Sequence, residues 1–429
     1  MDVYAAGTIA TGSGGNIPAY MNSSGQIYAS GNITVGGNVN TAGETYTGGY
    51  KMNNKIVTNY LKEGKITDIE TFIEENEISA DDYFNIFLYF KNRREFEISK
   101  KYLIKAVELA PDNLQYKLIL STICLAINDF KNGWKYYEER LLLPSYNNEN
   151  ILPRWNGTDK YKSIVVLVEQ GYGDSFMFAR FMYLLKNHFD YVSFCVSPEL
   201  FNIFTPQNLG IDEVSNQYVR NNFDCFCYLS SLPHLLEINN EILLSNNNDY
   251  LKEKIQQNNL NNKKLNIDFC LNGRTTTDYE KTRSVDIKTL TDLFENKNIE
   301  MHSLYKPEYD SYYENLVQKN KITEHSQIFK DFNKTAQIIN SMDLIITSDT
   351  AILHLAGTLG KKTFLLLPKL TDWRWKTEGY KTYWYKSVEI FRQKEQGVWK
   401  HPVDKLTQHI KEKYVQKNIW EKIKEKYKK

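Results

Sequence analysis

At 429 residues the chain has room for roughly three domains of ~100 to 200 residues, each able to bury its own core. Its 53 Lys+Arg stand against 52 Asp+Glu, which excludes a chain-wide polycation for nucleic acid and leaves any electrostatics local. Five cysteines with no C-x-x-C spacing exclude a disulfide or zinc framework, and no apolar run approaches the roughly 20 residues of a membrane span.

Residues 1–50 differ in composition from the rest, with eleven of the 22 glycines and only two charges, Asp2 and Glu44. Gly25, Gly31, Gly37, Gly43 and Gly49 recur every six residues. Short glycine-punctuated repeats resemble the β-repeat stalks of fibres and adhesins, and four of them bury little surface alone. Three readings stay open: a native β-repeat arm, an attached foreign segment with Met52 as the original start, and plain disorder. No positive charge precedes Lys51, so no secretory signal is expected. Together with the cysteine pattern this makes a reducing cytoplasm the expected compartment.

Residues 51–150 read as helices. Apolar residues recur at spacings of three and four in Ile66 to Ile73, Tyr83 to Tyr89, Ile98 to Leu109 and Leu114 to Ile127, the signature of amphipathic helices. Lys101-Tyr-Leu-Ile-Lys-Ala-Val-Glu-Leu-Ala-Pro-Asp-Asn113 resembles the end of a tetratricopeptide repeat. About three helix pairs would stack into an all-α solenoid with a face for a protein or peptide; a spacer or dimerisation module is the alternative.

From Trp155 the pattern alternates strand and helix. Ile164 to Val168, Tyr191 to Val196, Phe223 to Tyr228, Asn266 to Leu271, Leu344 to Thr347 and Lys362 to Leu367 read as buried strands. Two α/β halves follow, 151–260 and 261–400, joined by the polar stretch Gln257 to Lys264. Cys225 and Cys227 fall on one face of a strand and read as core packing. Residues 401–429 place Leu406, Ile410, Tyr414, Ile419, Ile423 and Tyr427 on one helical face with nine lysines against four acids, an amphipathic basic helix that either packs back on the domains or meets a membrane surface.

Two glycine-marked turns carry the chemistry. The first strand ends in Glu169-Gln-Gly-Tyr-Gly-Asp174; a later one ends in Ser348-Asp-Thr-Ala351 and opens a small-residue helix bearing His354. Open α/β sheets bind ligands beyond the carboxyl ends of their strands, and a helix N-terminus suits phosphate, so the pair predicts two sheets facing a cleft for a phosphorylated small molecule. The bland alternative for Asp349 and for Asp174 is helix capping. For His354 it is a satisfied core histidine, and for the aromatics Asp372-Trp-Arg-Trp375 and Trp384-Tyr385 it is burial. Glu169 is a second carboxylate at the first turn. No D-x-D pair occurs in the α/β region, which leaves a metal-bridged diphosphate without its carboxylates and predicts metal independence.

Trp155-Asn-Gly157, the 169–174 turn with Phe178-Ala-Arg180, Ser231-Leu-Pro-His234, and Asp349-Thr-Ala-x-x-His-Leu-Ala-Gly357 with Leu365-Leu-Leu-Pro368 resemble the heptosyltransferase-like family 9 glycosyltransferases, of the bacterial type with tetratricopeptide repeats, over about residues 95 to 405. The resemblance implies a GT-B fold of two Rossmann-like domains, with no cofactor but a nucleotide-sugar donor (ADP-, UDP- or GDP-linked). It implies Asp174 as general base and the turn with Gly171 and Gly173 beside it. Donor contacts would come from Ser348, Asp349, Thr350, Ala351 and His354, and a phosphate-binding cation from Arg274, Lys281 or Arg283. The expected activity is inverting transfer of a heptose or hexose, with the repeats favouring a protein acceptor such as an adhesin, pilin or flagellin. A lipopolysaccharide or oligosaccharide acceptor, and a non-catalytic scaffold, are the rival readings. Self-association is left open.

Overall fold

The computed structural model describes the chain apart from residues 1–6, 11–15, 22–26, 30–38, 42–43, 48–49, 52–54, 147–151, 218–221, 248, 253–263, 274–281, 305–310, 320, 326–330 and 417–429. Near the N-terminus six short strands form two antiparallel three-stranded sheets, β1 (Gly7–Ala10), β2 (Asn16–Met21) and β3 (Ile27–Ala29) in one and β4 (Val39–Thr41), β5 (Glu44–Thr47) and β6 (Tyr50–Lys51) in the other. The five hexad glycines and the 257–263 part of the expected linker lie outside the described residues.

The chain divides into two compact units, one of Met1–Asn150 with Asp372–Thr377, the other of Ile151–Thr371 with Glu378–Lys429. In the first, helices α1 (Lys55–Glu63), α2 (Ile66–Glu75), α3 (Ala80–Asn92), α4 (Phe96–Leu109), α5 (Leu114–Ala126) and α6 (Phe130–Tyr137) follow one another closely. Local chemistry sets their ends. Ser79 and Asp82 form a reciprocal capping box at the start of α3, Asn113 caps α5, and Asp129 caps α6, each giving the first-turn N–H groups an acceptor. α4 ends at Leu109, two residues before Pro111, as a residue preceding proline is pushed out of helix. Ile86, Phe87, Leu103, Ala106 and Leu120 fill a shared core. α6 comes so close to α5 that a Cβ on Gly133 would lie 2.6 Å from Leu125 Cδ2. Asp372–Thr377 belongs to this unit: the Trp373 ring stands edge-on to Trp134 (5.5 Å, 85°) and to Tyr137 (6.2 Å, 64°), and Arg94 donates to the Thr377 carbonyl.

The second unit holds two all-parallel sheets. The smaller contains β7 (Ser163–Leu167), β8 (Tyr191–Cys195), β9 (Glu213–Ser215) and β10 (Cys225–Tyr228) in the order β10-β7-β8-β9. The larger contains β11 (Leu265–Cys270), β12 (Ile299–Ser303), β13 (Ile322–Glu324), β14 (Leu344–Thr347), β15 (Thr363–Leu367) and β16 (Val388–Arg392), in the order β13-β12-β11-β14-β15-β16. Counted within each sheet these orders are 3-2-1-4 and 3-2-1-4-5-6, the doubly wound pattern whose direction reverses beside the first strand. Apolar runs such as Ser163-Ile-Val-Val-Leu167 and Thr363-Phe-Leu-Leu-Leu367 make the central strands, since a parallel strand is covered on both faces. Cys225 and Cys227 are both buried, and burial pushes the Cys225 thiol up to about 12.

One face of the larger sheet carries Ile267, Phe269, Met301, Ile346, Phe364 and Leu366. The helix Lys400–Ile410 packs there through Val403, Leu406 and Ile410; of the expected stripe, Leu406 and Ile410 are buried in this core and Tyr414 packs against it partly buried, while Ile419, Ile423 and Tyr427 lie outside the described residues. No described helix is long and apolar enough to cross a membrane.

Candidate active site

Both turns sit where their sheets reverse. β7 leads through Glu169 and Gly171 into α7 (Tyr172–Phe178), whose N-cap is Gly171. Asp174 is therefore the third helical residue rather than the cap, and it is 9% exposed. The rival carboxylate Glu169 is half-buried and accepts from the Ser230 hydroxyl at 3.3 Å.

In the larger sheet the reversal lies between β11 and β14. Ser348 is tied down there, its amide donating to the Cys270 carbonyl at 3.1 Å and its hydroxyl to the Leu271 carbonyl at 2.8 Å. The helix α8 (Ala351–Thr358) then starts with Thr350 as N-cap, extended at φ −138°, ψ 168°. The Thr350 hydroxyl lies 3.0 Å from the Thr347 hydroxyl and makes no cap bond to the helix. Asp349 is not the cap either. The N-cap residue Thr350 thus leaves the first N–H groups of the helix uncapped by its own side chain, and a helix start is a place that favours anions. Buried Cys270 beneath this turn is pushed up to about 12 by burial.

The two turns meet. A Cβ on Gly173 would lie 2.8 Å from His354 Cδ2, so only glycine lets the 171–174 turn pass the histidine. His354 is 4% exposed, with Nδ1 2.9 Å from the Tyr385 hydroxyl and Nε2 3.9 Å from Asp349 Oδ1. Asp349 is 7% exposed. On the other side of the helix start, a Cβ on Gly273 would lie 3.3 Å from Arg283 Nη2 and 3.6 Å from Thr350 Cγ2. Arg283 Nη2 and Thr350 Cγ2 thus both border the space beside Gly273, and the Arg283 charge acts on Cys270. Arg274 and Lys281 lie outside the described residues.

The structure thus brings Gly171, Gly173, Asp174, Arg283, Ser348, Asp349, Thr350, Ala351 and His354 around one place. Sequence reasoning placed two contributors elsewhere. Tyr385, which reads in the sequence as a candidate for burial, has its hydroxyl 2.9 Å from His354 Nδ1. Arg180 entered only as part of a motif, and it proves to be fully buried; its position among Phe178, Ala179, Phe181 and Met182 was the available sign of a buried cation. Trp375 and Trp384 are fully buried and Trp373 is buried in the helical unit, so these three pack as core.

No protein-family model matches the sequence, and no curated protein matches it. Solved structures do resemble it. A glycosyl transferase family 9 protein from Veillonella parvula is 12% identical, with 55% of this chain and 86% of that chain covered at a TM-score of 0.37. The E. coli heptosyltransferase WaaC with ADP-2-deoxy-2-fluoro heptose is 11% identical, covering 58% of this chain and 99% of that chain at 0.39. An O-GlcNAc transferase mutant from Thermobaculum terrenum is 8% identical, covering 85% of this chain and 91% of that chain at 0.28. The chain is similar in structure to family 9 glycosyltransferases and heptosyltransferases at these levels.

Proposed function

We propose that the chain is an inverting, metal-independent glycosyltransferase of the GT-B kind, its two halves being the α/β stretches 151–260 and 261–400. The observation that carries this is the contact of Gly173 with His354, which sets a buried carboxylate from one doubly wound sheet beside an N-terminal helix turn from the other. Phosphoryl groups of a nucleotide-sugar fit the start of α8, where backbone N–H groups and Arg283 offer positive charge. Asp174 takes the proton of an acceptor hydroxyl as its oxygen attacks the anomeric carbon. The bond from that carbon to the diphosphate oxygen breaks, and the leaving pair stays on the diphosphate. One displacement inverts the anomeric centre. A carboxylate within reach and shielded from water suits proton removal, and fixed donors at the departing diphosphate stabilise charge where it develops. The helices of residues 51–150 are assigned to presenting a protein acceptor, with heptose or hexose as the sugar.

Asp174→Asn should lower kcat by a factor of ~10² to 10⁴, with donor affinity nearly unchanged and the rate of the unmodified chain intact in EDTA. Unchanged turnover in the variant, or transfer abolished by EDTA and restored by Mg²⁺, would contradict the mechanism.

A further inference from the structure

Arg180 is fully buried, and it donates to backbone carbonyls of three separate stretches of chain: Nε to Met177 at 2.8 Å, Nη1 to Leu244 at 3.3 Å and to Trp384 at 2.7 Å. Met177 and Leu244 belong to the half with the smaller sheet. Trp384, 204 residues along the chain from the arginine, lies between β15 and β16 of the larger sheet. The guanidinium carbon also lies 5.4 Å from the centre of the Trp384 ring and 4.8 Å from that of the Tyr385 ring. A guanidinium keeps its charge in proteins, and a buried charge is costly unless its surroundings receive it. Here carbonyl oxygens and ring faces do so, and they come from both halves.

Other contacts run the same way. Arg180 lies in the stretch Ala179–Asn187 that continues α7, and Tyr172, Phe176 and Arg180 recur every four residues, the spacing of one helical side. The Tyr172 ring stands edge-on to Phe332 (4.9 Å, 63°), and so does the Phe176 ring (5.2 Å, 76°). Phe332 opens the helix Phe332–Ser341 of the larger-sheet half. Phe178 stands edge-on to Trp384 at 6.3 Å, and Phe176, Phe178 and Trp384 are all fully buried. One short segment ties both helices: the Tyr250 hydroxyl donates to the Phe176 carbonyl at 3.0 Å, and the Leu251 amide donates to the Thr358 carbonyl, at the end of α8, at 3.0 Å. Hinging the halves apart would break the bond from Arg180 to Trp384 and bring these rings into water, which is unfavourable. Asp174 sits on α7 between Gly173, at His354, and Phe176, at Phe332, so this packing sets its place.

We propose that Arg180 is a positioning residue that latches α7, and with it Asp174, onto the larger-sheet half, so that the two turns stand together before any ligand binds. A nucleotide-sugar then enters a formed site rather than closing an open one. The consequence for turnover rests on the proposed function; the latch itself does not.

The test is the distance between nitroxide labels at Asn202→Cys in the smaller-sheet half and Lys297→Cys in the larger-sheet half, both exposed positions. It is read by pulsed electron paramagnetic resonance on the full chain carrying Cys195→Ser, since the other four cysteines are buried. With Arg180 in place the distance distribution should be single and narrow, and unchanged by an ADP-, UDP- or GDP-sugar. Arg180→Met should broaden it toward longer distances, and kcat for transfer should fall about 10²-fold, the scale of an ångström of misplacement, with donor affinity nearly unchanged. A distribution that is broad or split with Arg180 in place, or that shifts when donor is added, overturns the proposal. So does an Arg180→Met chain that melts earlier yet keeps the narrow distribution, because the arginine then only stabilises the fold. A narrow distance that Arg180→Met broadens, in a chain that binds no nucleotide-sugar, supports the latch and sinks the transferase reading instead. Should Arg180→Met fail to fold, Arg180→Lys, which keeps the charge but loses the fork that spans the carbonyls, is read in its place by the same outcomes.

Discussion

Single residues in the site are constrained more by what touches them than by their own chemistry. A Cβ on Gly357 would lie 2.4 Å from Tyr385 Cγ and Cδ1, and both the helix backbone and the buried ring must give way. Gly357→Ala should therefore destabilise by ~1–3 kcal/mol, the usual range for overpacking, read as a lower urea midpoint at unchanged slope; a loss under ~0.5 kcal/mol would show that Tyr385 is loosely held. The turns themselves were legible. Gly171 and Gly173 between an apolar strand and Asp174, and Ser348-Asp-Thr350 between an apolar strand and a small-residue helix, announce themselves because strand end, turn and helix start are neighbours in sequence. Tyr385 and Arg180 were not legible in their roles. Their partners lie 31 residues (His354) and 204 residues (the Trp384 carbonyl) away, and no local pattern encodes such contacts.

At the scale of elements, central strands were readable and the polar ones were not. β7, β8, β10, β14 and β15 follow apolar runs and β11 alternates apolar and polar residues, whereas β12 reads Ile-Glu-Met-His-Ser and β13 has three residues. His302 of β12 lies in a buried polar cluster with Asn266 and Asp268 of β11 and with His325, the residue after β13. His302 Nδ1 is 3.1 Å from His325 Nε2 with the rings parallel within 5°, His302 Nε2 is 3.4 Å from Asn266 Oδ1, and fully buried Asp268 accepts from the Leu304 amide at 3.3 Å. Burial, then the neighbouring His325, pull His302 down to about 4; burial also lowers His325 and holds the Asp268 carboxyl well above its usual range. Between pH ~6.5 and ~4 the unfolded chain binds a proton at His302 that the folded chain does not, so this histidine's contribution to stability is lost as pH falls. Asp268 acts with the opposite sign, since the folded chain keeps its proton above pH ~4. Comparing His302→Asn with the wild type isolates the histidine. Unfolding free energy measured by denaturant should rise with pH less steeply in the variant over this window, and identical slopes would mean that His302 is charged when folded.

For the whole molecule, the alternation of composition announced a helical stretch followed by an α/β stretch, and the structure divides at Asn150. The membership of Asp372–Thr377 in the helical unit had no local sign, because an aromatic cluster reads equally as a ligand platform or as core. Trp373 is 5% exposed against Trp134 and Tyr137. Trp373→Ala should cost ~3–5 kcal/mol, measured as a lowered unfolding midpoint of the full chain; an unchanged midpoint would show that the segment adds nothing to that unit's stability. The central claim is that two doubly wound sheets bring their turns together at a nucleotide-sugar site. Its most direct measurement is the thermal midpoint of the wild type and of Asp349→Ala against ADP-, UDP-, GDP- and CMP-linked sugars. Ligand at ~100 times its Kd stabilises a binding-competent fold by ~2.7 kcal/mol. The account predicts an upward shift with one nucleotide class, lost in Asp349→Ala; no shift with any donor, or a shift that survives the substitution, would contradict it.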